Sequence, residues 1–107
     1  MKRKRLKVIY SDLAGSQLRE ILAYCRREFG ISVERRVRNQ FIATEELLSK
    51  FHYLFPVIED GSIYRKISTT GKNTIVYRFH PVGTKDSIII VAVFSAGRNI
   101  NYSDITG

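Results

Sequence analysis

Apolar residues recur with a helical period in the first half of this chain and with a period near two in the second half. Over 12–29, Leu18, Ile21, Leu22, Cys25 and Phe29 fall at offsets of 3, 4, 7 and 11 from the first, which is one stripe of an α-helix. Ser11 or Asp12 can cap its start, and Gly30 suits the left-handed position after its end. A second helix follows almost at once, with Ser32 available as N-cap, Glu34 in its first turn and a stripe of Val37, Phe41, Thr44, Leu48 and Phe51. Glu34–Arg38 and Glu46–Lys50 are i,i+4 pairs in the favourable order, as a solvated outer face requires. Residues 12–51 therefore predict a helical hairpin.

The period changes after "FPVIEDGS", a loop with Pro56 and Gly61. "IYRKIS" (63–68), "TIVYRFH" (74–80) and "SIIIVAVFS" (87–95) are three β-type segments, separated by turn-rich stretches short enough for antiparallel connections. A short β-prone segment, "LKVIYS" (6–11), precedes the helices. The expected order is β-α-α-β-β-β, an α+β fold, with the doubly apolar third segment of the second half as its central strand. Alternation puts Ile75, Tyr77 and Phe79 on one face of the second segment and Thr74, Val76, Arg78 and His80 on the other. With the helices on the apolar face, Arg78 and His80 point to the more open side. Arg65 and Lys66 point to opposite faces, so one of the two can join Arg78; the sequence leaves open which.

Length and composition restrict the rest. The 107 residues suffice for one domain over 1–107 with a single core, with residues 1–5 read as a mobile basic arm and 100–107 as a polar tail. Eighteen Lys and Arg against ten Asp and Glu give a net charge of +8, which suits an acidic partner (nucleic acid, a membrane surface or an acidic protein), the plainer alternative being a merely soluble basic protein. One Cys and two His exclude an internal disulfide and are too few for a protein-only structural zinc site, so neither metal nor cofactor is expected. The charged start has no apolar stretch behind it, and the longest apolar run, 88–94, is far short of the ~20 residues of a membrane span. A cytoplasmic chain with no membrane partner is expected.

Individual residues carry weaker signals. Arg98 follows Gly97, whose conformational freedom can aim the loop after the last strand; the plainer reading is a solvated strand-end arginine. His80 could serve as an acid or base near neutral pH, although a strand-end residue before Pro81 is the simpler account. His52 ends the second helix, where a cation suits the helix dipole, and Cys25 on the first stripe reads as core. Arg26, Arg27, Arg35, Arg36 and Arg38 gather near the hairpin bend, either as a solvated face or as a contact for nucleic acid or an acidic protein.

The order of elements, with Ala14 one turn into the first helix, "ILAYCRREFG", Leu47-Leu48 followed by Pro56 and Gly61, "YRKI", "IVYRF" and "VFSAGRN", resembles the RelE/ParE superfamily of toxins over roughly residues 8–99. The resemblance implies a type II toxin–antitoxin (plasmid stabilisation) toxin, with a helical hairpin on a small twisted antiparallel sheet, neutralised by a cognate, often acidic antitoxin. RelE-like members cut mRNA on the ribosome without a metal, which needs a base, an acid and cations at the phosphorane. On that pattern Arg65 or Lys66, Arg78 and Arg98 would supply charge, and His80 or Tyr102 the acid or base. The sequence departs from the pattern at Thr74, where an Arg is expected, and both Arg98 and Tyr102 are offset. ParE-like members lack the catalytic set, bind DNA gyrase and favour an "FG" between long helices, as in "REFGIS" here. The resemblance therefore implies a ParE-like toxin acting by binding, most directly on gyrase, with a RelE-like endoribonuclease as the alternative. A non-toxic basic RNA-binding domain is the third reading.

Overall fold

The computed structural model describes residues 5–97, and its elements follow the expected order: β1 (Lys7–Tyr10), α1 (Asp12–Phe29), α2 (Ile31–Phe51), β2 (Arg65–Ser68), β3 (Thr74–His80) and β4 (Ser87–Phe94). Ser11 is the N-cap of α1, its Oγ accepting from the Ala14 N–H at 3.1 Å. Gly30, at φ +93°, is the whole connection to α2, and its N–H closes on the Arg26 carbonyl. Because α2 begins at Ile31, Ser32 lies inside the first turn and is not the cap expected of it. Both expected i,i+4 ion pairs form, Glu34–Arg38 at 3.5 Å and Glu46–Lys50 at 3.3 Å.

The sheet order is β1-β4-β3-β2, so the apolar β4 lies inside, as its composition demands. β2, β3 and β4 are antiparallel, while β1 joins β4 in parallel, with Lys7 opposite Ser87 and Tyr10 opposite Ile90. The parallel pairing follows from topology. The hairpin runs away from β1 and returns, and the two helices supply the crossover that a parallel neighbour needs. β1 covers only the first half of β4. Beyond it, α1 satisfies the open edge, with Gln17 Oε1 accepting from the Val93 N–H at 2.7 Å.

A bulge divides β4 between two cores. Val76 faces Ala92 and Tyr77 faces Ile90, which leaves Val91 as the extra residue. Ile88, Ile90 and Val93 thereby join Ile75, Tyr77, Phe41 and Leu48 under the helices, while Val91, Ala92 and Phe94 join Val76 on the other face. Complete burial of Phe41 and Leu48 is worth about 1.5–3 kcal/mol each. The second core explains why β4 is apolar on both faces: the loop over 52–64 folds across it, packing Ile58 and Tyr64 against this cluster. That loop is pinned by the Tyr77 hydroxyl, which donates to the His52 carbonyl at 3.0 Å, and by Arg65 Nη1, which donates to the Phe55 carbonyl. The expected strand over 63–68 is shorter for this reason. Ile63 and Tyr64 belong to the loop, where the Tyr64 carbonyl accepts from Ile58 N–H, and pairing with β3 begins at Arg65.

The first stripe is not wholly core. α1, with 18 residues, is about 27 Å long and overruns the sheet at its C-terminal end. Leu22 is buried, but Phe29 is 61% exposed and Cys25 is half-buried, so neither is the core residue that the period suggested.

Candidate functional site

Register decides which basic side chains share a face. Arg65 pairs with Tyr77 and Lys66 with Val76, so Lys66 lies on the face of Thr74, Val76, Arg78 and His80, and Arg65 lies on the face of the helices. There its guanidinium sits 6.0 Å from the Phe79 ring centroid and binds the Phe55 carbonyl, a contact that ties β2 to its own loop. Of the two candidates that the sequence left open, Lys66 is the one that joins Arg78.

Arg78 is half-buried, and its Nη1 contacts both the Phe79 carbonyl at 3.1 Å and His80 Nδ1 at 3.4 Å. An arginine can only donate, so a hydrogen bond at that contact has Nδ1 as its acceptor. Arg78 Nε is buried without a partner among the described residues. Along the same face Lys66 and Thr74 line a shallow depression of about 310 Å³ with Ser68 and Pro56. The buried Val76 lies between Thr74 and Arg78 along β3 and directly opposite Lys66, which makes Arg78 the diagonal neighbour of Lys66 on this face.

Arg98 and Tyr102 lie outside the described residues, as do Asn99, the basic arm before residue 5 and the polar tail. The Asn73 side chain is buried, and its Oδ1 accepts from the Ala96 N–H at 2.9 Å, which tethers the end of β4 to the start of β3. Gly97 follows at φ +78°, where a side chain would be strained.

Two features escaped the sequence. The first is an open groove of about 540 Å³ between the hairpin and the end of β4, walled by Ile21, Tyr24, Cys25, Phe29, Val33, Val37 and Val93. Its signal was present as apolar residues of the two stripes near the bend, but a stripe does not reveal where the sheet beneath it stops. The second concerns His52, which contacts Phe79 and Tyr53 edge-on, with ring centroids 5.7 and 5.5 Å away. Burial first, and the nearby Lys85 charge second, hold this imidazole below its usual value against an opposing hydrogen bond with the Ser49 backbone. His52 is therefore neutral at pH 7 and packs as a ring, not as the dipole-compensating cation expected. Among the described residues no three His, Cys, Asp or Glu side chains gather as metal ligands, and no helix is long and apolar enough to cross a membrane.

A two-helix hairpin against one face of a four-stranded mixed sheet, with β1 and β4 side by side, is the RelE/ParE-like α+β fold. Among solved structures, the chain is similar to one from the chromosomal ParDE TA system of P. aeruginosa, with a TM-score of 0.69 over 86% of this chain and 97% of that one. The two sequences are 10% identical, so the likeness is one of fold. No protein-family model and no curated protein matches the sequence.

Proposed function

We propose that the chain is the toxin of a type II toxin–antitoxin pair, and that it inhibits growth by binding its target, DNA gyrase, not by cutting RNA. The fold supports the toxin reading. The observation that carries the choice of binding over cleavage is the dispersal of the cations. A metal-independent ribonuclease needs its donors converged on one phosphate, each within about 3 Å of the developing charge. Here Arg65 is on the far face and Thr74 stands where a cation is needed, which leaves Lys66 and Arg78 as the cations of that face of β2 and β3 among the described residues. A cognate antitoxin has a surface that suits it. The apolar groove beside the hairpin bend is flanked by exposed Tyr24 and Phe29, with Glu20 in its lining and the exposed Arg26 and Arg27, which contact Glu34 and Glu28, close by in the chain.

One observation favours the ribonuclease alternative, the Arg78–His80 contact, since an arginine beside an imidazole is a usable charge-and-proton pair. A single set of assays separates the two. Purified protein is added to a gyrase supercoiling reaction and, separately, to a purified translation system in which a reporter mRNA is read by primer extension. Lost supercoiling with intact mRNA is the expected result. Ribosome-dependent cuts with normal supercoiling would replace this reading with the RelE-like one.

A further inference from the structure

A second depression, on the other side of α2 from the groove, is built differently. About 510 Å³ in volume, it lies between α2 and the β2–β3 turn, and Arg35, Arg36, Asn39, Ser32, Gln40 and Thr70 supply its polar lining. Among the described residues no carboxylate lines it. Glu34, the acid nearest in sequence, is engaged on another face by Arg26 at 3.9 Å and Arg38 at 3.5 Å. Arg35 and Arg36 are exposed and make no ion pair or hydrogen bond among the described residues. The turn comes close enough to α2 that a Cβ on Gly71 would lie only 2.4 Å from Gln40 Oε1, so glycine is what lets the two walls meet at a polar floor. Gln40 Oε1 is buried there without a partner, and Lys72, exposed at φ +66°, extends the positive rim of the same turn.

We infer that this cleft seats one phosphodiester strand of double-stranded DNA. Two exposed guanidinium groups and four neutral side chains able to donate, with no acid among the described lining residues, form a set that recognises phosphate oxygens. Among the described residues the lining contains no aromatic ring, whereas proteins that hold single strands stack unpaired bases on such rings, so a duplex with its bases enclosed is the better fit. Contacts to phosphate carry no sequence information, so binding is independent of sequence. The choice of DNA over RNA rests on the gyrase reading above, because a protein that binds a DNA-handling enzyme meets duplex DNA beside it.

The test measures binding of a fluorescent 20-base-pair DNA duplex by anisotropy across a salt series, using the purified full chain without gyrase. We compare the wild type with Arg35→Ala/Arg36→Ala and with Lys7→Ala/Arg19→Ala, which removes the same charge from exposed positions outside the cleft. At ~100 mM salt the cleft variant should bind roughly tenfold more weakly, and its log–log salt slope should be shallower by about two. The control should stay within about threefold of wild type, and circular dichroism should show all three folded. Equal losses in both variants would mean diffuse attraction to a basic protein and overturn the cleft. Tighter binding of an RNA duplex of the same sequence would overturn the choice of DNA. The wild type failing to bind DNA while still blocking supercoiling removes this inference and leaves the toxin reading intact; DNA binding without any effect on gyrase removes the toxin target and leaves the cleft.

Discussion

Replacing Tyr77 with Phe isolates one hydrogen bond at the junction of the fold's two halves. The ring is fully buried beneath the helices, and burial raises the phenol's pKa well above its ordinary range, so the hydroxyl is a neutral donor at every relevant pH. It donates to the His52 carbonyl at 3.0 Å, just past the end of α2, where helix carbonyls lack partners of their own. Phe keeps the ring and leaves no cavity of consequence, so the loss is the bond alone, about 1 kcal/mol. If the His52 carbonyl stays shielded from water, an unsatisfied acceptor raises the cost to about 2 kcal/mol. At about 4–8 °C per kcal/mol for a domain near this size, the melting temperature should fall by about 4–16 °C. Tyr77→Ala should cost about 3–5 kcal/mol, because it adds a cavity. Calorimetry measures both, and amide exchange should quicken over 53–64, since that loop is what the bond anchors. A Phe variant as stable as wild type, with unchanged exchange in the loop, would refute this account of how the outer core is covered.

Arg65→Ala should act on stability and not on function. It removes the bond to the Phe55 carbonyl and the contact over Phe79, costing about 1–2 kcal/mol in urea unfolding, while gyrase inhibition per folded molecule stays within about twofold. A large loss of inhibition with stability unchanged would return Arg65 to the functional surface. Glu45 predicts a pH effect. Its carboxyl lies above the usual range because burial outweighs the hydrogen bond that it accepts from Tyr10 at 2.9 Å. A raised folded pKa means that stability is present below the unfolded pKa and is lost as pH rises through the folded one. Glu45→Gln, which keeps the acceptor, should therefore be more stable than wild type at pH 7, and the advantage should vanish in acid. Melting temperatures at pH 7 and pH 4 check this, and a variant less stable at pH 7 would contradict it.

Periodicity made the helical hairpin and β3 legible, and it gave β4 to within a residue, because these elements are specified by local pattern: a stripe of period 3.6 or an alternation of two, closed by Ser11 and Gly30. Even the sorting of Ile75 and Tyr77 from Val76 and Arg78 followed from alternation. The charge balance and the shortage of metal ligands were equally plain in the composition. Neighbours were a different matter. That β1 lies parallel to β4, that Lys66 and not Arg65 shares a face with Arg78, and that Val91 is an extra residue are facts of strand pairing. A one-residue change of register reverses every face, and no local pattern fixes register. The apolar groove and the arginine-lined cleft arose the same way. Phe29 and Arg36 look like any core aromatic and any solvated cation until the length of the sheet leaves the first uncovered, and the close approach of Gly71 to Gln40 gives the second an opposite wall. Sequence determined the elements and their chemistry; which side chains face one another was decided by long-range packing, because burial is a property of contacts between segments distant in the chain.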